Sequence, residues 1–164
     1  MPDIDGVKIK ILKVHQDIPD ADQPDIKPGF LMEVLRKDEG LLKKFGQTTF
    51  TVAYPGTIKA FHWHKKQADL WFVATGKAVV VLHDLRSDSP TFGQTQEILA
   101  GQGDYKVILI PIGVAHGYKV LGTEPVLLFY HTTESYNLEN PDEERIAYDD
   151  PKIGFDWDKL DLSS

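Results

Sequence analysis

The chain has 164 residues, of which 41% are hydrophobic and 26% charged, with a formal charge of −7 and no cysteine. That length suits one domain, because two would each be small for a core of their own. The acidic balance excludes general nucleic-acid binding, which needs a basic stripe, and the absent cysteines exclude disulfides and thiolate chemistry.

No apolar run approaches the length that crosses a bilayer. The start, Met1-Pro2-Asp3-Ile4-Asp5, is acidic where a secretory leader is basic, so a cytoplasmic protein without membrane partners is expected. Residues 7–14 alternate apolar and basic side chains, the pattern of a half-exposed strand. A Pro- and Asp-rich link covers residues 17–28, and a short apolar run follows over 30–35. Residues 38–45 carry Leu41, Leu42 and Phe45 at helical spacing, which predicts a short helix.

Strand patterns then follow quickly, over 47–54, 58–64, 69–75, 77–83, 105–110, 116–121 and 125–133. Turn signals separate them, among them Tyr54-Pro55-Gly56, Thr75-Gly76, Gly101-Gln102-Gly103 and Gly122-Thr123. Many short strands at near-regular spacing imply an antiparallel sandwich or barrel. The barrel core is expected over about 30–133 of a single domain spanning 1–164. Residues 134–164 are acidic first and then supply Ile146, Tyr148, Ile153, Phe155 and Trp157, enough apolar surface to wrap back over the barrel.

The sharpest local pattern runs Gly56, His62-Trp63-His64, Asp69 and Gly76, with a further His116 in Pro111-Ile112-Gly113-Val114-Ala115-His116. Residues two apart on a strand share a face, so His62 and His64 project together. Three imidazoles and a carboxylate can hold a first-row metal with positions left open; two polar residues satisfied inside a barrel would give the same His-x-His. His15, His83 and His131 lack such company and read as a surface residue and two ordinary strand residues. Lys59, Lys65 and Lys66 cluster around the motif, suited either to one anionic small molecule or to a solvated strand end.

This pattern resembles the two sequence motifs of the cupin superfamily, whose three histidines and one acid bind a metal. Asp69 stands where that acid is usually glutamate, and Val120 where asparagine is common. A second resemblance covers residues from about 25 to 157. The segments Asp84-Leu85-Arg86-Ser87-Asp88-Ser89-Pro90-Thr91-Phe92-Gly93-Gln94, Ile110-Pro111-Ile112-Gly113-Val114-Ala115-His116-Gly117, Leu128-Phe129-Tyr130-His131-Thr132-Thr133 and Tyr148-Asp149-Asp150-Pro151-Lys152-Ile153-Gly154-Phe155-Asp156-Trp157 are similar, in order and spacing, to the dTDP-4-dehydrorhamnose 3,5-epimerases.

That resemblance implies an all-β cupin jelly-roll barrel, a homodimer, and a cofactor-free isomerase acting on a nucleotide-activated 4-keto-6-deoxy sugar in deoxysugar or cell-surface polysaccharide biosynthesis. Matched by position, it makes His62 the base, Tyr130 the acid, and Gln47, Lys59 and His116 substrate-binding groups. Four departures stand beside it. Lys59 and Pro28 occupy arginine positions, Asp69 occupies that of an enolate-stabilising lysine, and the family's base-holding aspartate has no counterpart after Trp157. The partner of His62 is therefore either missing or supplied from elsewhere. Two other readings stay open: a metal-dependent isomerase or dioxygenase holding Fe, Mn, Ni or Zn on His62, His64, Asp69 and His116, and a non-catalytic sugar-binding barrel.

Overall fold

The computed structural model describes residues 3–159. Twelve strands are present among the described residues: β1 (Lys8–Ile11), β2 (His15–Gln16), β3 (Phe30–Leu31), β4 (Gln47–Ala53), β5 (Ile58–Trp63), β6 (Asp69–Thr75), β7 (Lys77–Asp84), β8 (Thr95–Gly101), β9 (Lys106–Ile110), β10 (Val114–Leu121), β11 (Val126–Thr132) and β12 (Glu144–Arg145). All pair antiparallel, in two five-stranded sheets ordered β1-β9-β6-β11-β4 and β12-β5-β10-β7-β8, with β2 and β3 forming a small ribbon. Neighbours in each sheet are mostly distant in sequence, the arrangement of a jelly roll.

Alternation along the strands explains three layers of apolar packing. Trp71, Val73, Val80, Leu82, Ile108, Ile110, Val114 and Val120 meet between the sheets. Their sequence neighbours Leu70, Phe72 and Val107 face outward from the first sheet, and Phe61, Val79, Val81 and Ala115 outward from the second. Both outer faces are covered. Residues after β12 lay Ile146, Ile153, Phe155 and Trp157 over the second sheet, where Trp157 packs on Phe61 at 5.5 Å between ring centroids and donates Nε1–H to the Tyr148 carbonyl. The wrapping tail is thus present, and it explains why β7 is an unbroken apolar run and not an alternating one.

The short helix expected over 38–45 is not there. A single 3-10 turn, Lys37–Glu39, ends at Gly40, whose φ of 62° suits glycine. Leu41 and Leu42 instead cover the outer face of the first sheet, so their spacing reflects that contact, while Phe45 is exposed. The first strand is shorter than the 7–14 pattern suggests, because after Ile11 the chain leaves β9. Strand β8, hidden by its polar residues Thr95, Gln96 and Glu97, pairs with β7 along its whole length.

Candidate active site

A cavity of about 800 Å³ opens between the sheets at the end where β5, β6, β10 and β11 meet residues 134–144. Gln47, Lys59, His62, His64, Asp69, His116 and Tyr130 all line it, so the residues expected to act as base, acid, substrate contacts or metal ligands converge on one place. His62 and Lys59 are three apart, an odd spacing for one strand face. The β5–β10 register slips between the Tyr118–Lys59 and His116–His62 pairs, and that irregularity turns both side chains inward.

His62 lies directly across from His116 on the neighbouring strand. Its Nδ1 faces the carboxylate of Glu143, with Oε1 at 2.9 Å; the contact is close but does not meet the geometry of an aligned hydrogen bond. Burial lowers the His62 pKa, the Glu143 charge opposes this, and the net shift is downward. The group facing His62, which the sequence left open, is Glu143, from the segment that returns over the mouth of the barrel.

His62 does not join the other three proposed ligands. The cluster is His64, Asp69 and His116, whose donor atoms lie within 4.8 Å of one another. Nε2 of His64 is 3.6 Å from Asp69 Oδ1, and Nε2 of His116 is 3.7 Å from Asp69 Oδ2. Asp69 also accepts hydrogen bonds from Gln67 Nε2 at 2.7 Å and Trp71 Nε1 at 3.1 Å. Burial raises the Asp69 pKa, but the two histidines and Gln67 outweigh it and hold the carboxyl below its usual range. His64 is lowered by burial but more strongly raised by Asp69 and the Asp142 carbonyl. Fully enclosed His116 is pushed down to about 4 by burial, against the pull of Asp69.

The opposite wall carries Tyr130, opposite Trp71 on β6 and Thr49 on β4, with burial raising the phenol above its ordinary range. Trp71 forms a floor, edge-on to His116 and Tyr118 and tilted against Tyr130. Gln47 is held by the Tyr136 amide, which donates to its Oε1 at 2.6 Å, and by Thr49. Lys59 donates to Thr51 Oγ1 and the Val52 carbonyl. Lys65 pairs with Glu144 at the rim. His83 and His131 each pair with a threonine across a strand and His15 is exposed, as expected of residues outside the site.

Four participants escaped the sequence reading. Tyr118, buried with its hydroxyl unpartnered among the described residues, lines the cavity two residues from His116; that spacing places both on one strand face. Gln67 bridges His64 and Asp69. Asp142 accepts from the amides of Lys65, Lys66 and Gln67, and its carbonyl accepts the His64 Nδ1 proton. Together with Glu143 it lies about 80 residues from the histidines it serves, and no strand periodicity connects them.

Comparison with known proteins agrees with this geometry. The family model for dTDP-4-dehydrorhamnose 3,5-epimerase matches residues 20–164. The chain is 52% identical over 154 residues to the spore coat polysaccharide biosynthesis protein SpsL of Bacillus subtilis, covering 94% of this chain and 96% of that one. Among solved structures, a dTDP sugar isomerase from Desulfovibrio desulfuricans G20 superposes with a TM-score of 0.84 at 28% identity, covering 98% of this chain and 96% of the other. The RmlC epimerase of Legionella pneumophila, solved with dTDP-4-keto-L-rhamnose, gives 0.80 at 29% identity, covering 95% and 80%. With its jelly roll, its histidine-lined cavity and a family match across nearly all its length, this chain belongs to the dTDP-4-dehydrorhamnose 3,5-epimerase family.

Proposed function

We propose that the chain epimerises a nucleotide-activated 4-keto-6-deoxy sugar, with His62 as base and Tyr130 as acid. The observation carrying this is the placement of His62, backed by Glu143 at 2.9 Å, on one sheet and Tyr130 on the facing sheet of the same cavity. Nδ1 faces Glu143, which leaves Nε2 to take a proton. Abstraction at the carbon beside the ketone breaks a C–H bond and leaves an enolate, with the proton on Nε2. The Tyr130 hydroxyl then protonates that carbon from the opposite face, inverting it, and both side chains recover through solvent. Each transfer is made by a side chain, so these steps call for no cofactor.

Gln47, Lys59 and His116 hold the substrate in this reading. Lys59 supplies a point charge for a phosphate without the fork of an arginine. The substrate class is supported by the dTDP-4-keto-L-rhamnose bound to the Legionella relative, and a role in cell-surface polysaccharide synthesis by the name of the Bacillus relative. The same reading makes the protein a cytoplasmic homodimer. Exposed Ile9 and Ile11 on edge strand β1, with Phe30 and Leu31 on β3, offer apolar surface for a second copy.

Solvent-deuterium incorporation beside the ketone of dTDP-4-keto-6-deoxyglucose tests the proposal. The expected result is exchange by the native protein and a loss of roughly 10²–10⁴-fold on His62→Asn. Absence of exchange by the folded native protein, across dTDP and other nucleotide sugars, rejects it in favour of a barrel that only binds.

A further inference from the structure

The group at the inner end of the cavity has a feature that proton transfer between His62 and Tyr130 does not use. His64 and His116 each direct Nδ1 at a backbone carbonyl, that of Asp142 and that of Val114 at 3.0 Å. A carbonyl oxygen only accepts, so both Nδ1 atoms carry hydrogen, and in each neutral ring Nε2 bears a lone pair. Both Nε2 atoms then face the same carboxylate, Asp69, at 3.6 and 3.7 Å. Those separations are too long for hydrogen bonds, and lone pairs converging on carboxylate oxygens repel unless a proton or a metal cation lies between them. Gln67 Nε2, 3.4 Å from His64 Nε2 and 2.7 Å from Asp69 Oδ1, caps one side of the group without filling it.

We propose that His64, Asp69 and His116 form a binding site for a divalent first-row transition metal ion. Two imidazole nitrogens and one carboxylate oxygen are a donor set suited to Fe(II), Mn(II), Ni(II) or Zn(II), and three protein ligands leave positions open. The surroundings are those of ligands held in advance. Both histidines are fixed by carbonyl acceptors, and Asp69 by Gln67 and Trp71. All three side chains are buried yet line the cavity. His62 stands outside the set because the donor atoms that lie within 4.8 Å of one another are those of His64, Asp69 and His116 alone among the described residues. An open position on the ion would polarise a ketone oxygen in the cavity, and His116 would then act on the substrate through the ion and not by direct contact; that role rests on the epimerase reading, whereas the site itself does not.

Titration of chelator-treated, full-length protein with Co²⁺, followed by visible ligand-field absorption, and with Zn²⁺ by calorimetry, tests the site. One equivalent of each is expected to bind. His116→Gln and Asp69→Asn should each weaken binding by more than about a hundredfold, beyond the ~10–100-fold typical of losing a supporting hydrogen bond. His62→Ala should keep the metal affinity. Should a variant fail to fold, proton NMR of the native protein supplies the second measurement: diamagnetic Zn²⁺ should shift the imidazole signals of His64 and His116 and leave those of His15, His83 and His131 in place. No uptake by the folded native protein, uptake unaffected by both ligand variants, or loss of binding with His62→Ala would each overturn the proposal. Deuterium exchange that persists without metal uptake removes the ion and leaves the epimerase intact.

Discussion

In the reaction we propose, His62 and Glu143 divide the work of a general base between two chain segments. The carboxylate holds the ring so that Nε2 faces the cavity, and it stabilises the imidazolium formed when a proton arrives. Both side chains are about a third exposed, at 30% and 36%, so solvent shares that task. Glu143→Gln is expected to lower kcat roughly 10- to 100-fold, less than the ~10⁴ lost when a fully buried partner of a catalytic histidine is replaced. KM should change little, and Glu143→Asp should recover part of the rate; an effect confined to KM would assign Glu143 to substrate binding instead.

Asp84 shows the same logic used for stability. It is fully buried and accepts from Arg86, Ser89 and Thr91, while Arg86 also reaches the Asp5 carbonyl. Burial alone would raise its pKa, but those hydrogen bonds prevail and hold it far below the ordinary range. A depressed folded-state value means that the contribution is present above the unfolded pKa of about 3.9 and lost as pH falls toward the folded one. Urea unfolding should therefore show stability declining below about pH 4, with a shallower decline in Asp84→Asn.

At the scale of elements, the contact between β5 and β10 governs the site. A Cβ at Gly117 would lie 2.3 Å from Ala60 Cβ and 2.8 Å from the Lys59 carbonyl oxygen, so only glycine lets the two strands approach where their register slips. Gly117→Ala should cost about 1–3 kcal/mol of stability, the usual range for overpacking, and should reduce activity by displacing Lys59 and His62. Chemical denaturation beside the exchange assay checks both, and an unchanged midpoint would show that the strands have room.

Strand patterns were legible wherever one residue type alternated or ran unbroken, as in β6, whose bounds match its pattern. They failed where tertiary contact overrode local signal. Leu41 and Leu42 imitate a helix because they cover a sheet, and β8 is hidden because Gln96 is buried while binding the amide of Ile4. Within the site, strand spacing points to His62 and His64, the motif they open points to Asp69 and His116, and Tyr130 comes from the family resemblance alone. Glu143 could not be found in these ways, since what places it is the return of the chain across the barrel.

For the molecule as a whole, that return path matters more than its length suggests. Asp142 gathers three successive amides of the loop from β5 to β6 and fixes His64, and the next residue faces His62. Trp157 and Phe155 then fasten the segment to the outer face of the second sheet. During synthesis, a growing chain that has released Thr132 already contains every strand of the first sheet and four of the five in the second. It can close its barrel and bury its core, yet His62 has no counter-charge until some dozen further residues have left the ribosome. In the proposed reaction the pocket is therefore unarmed until the return segment lies across it.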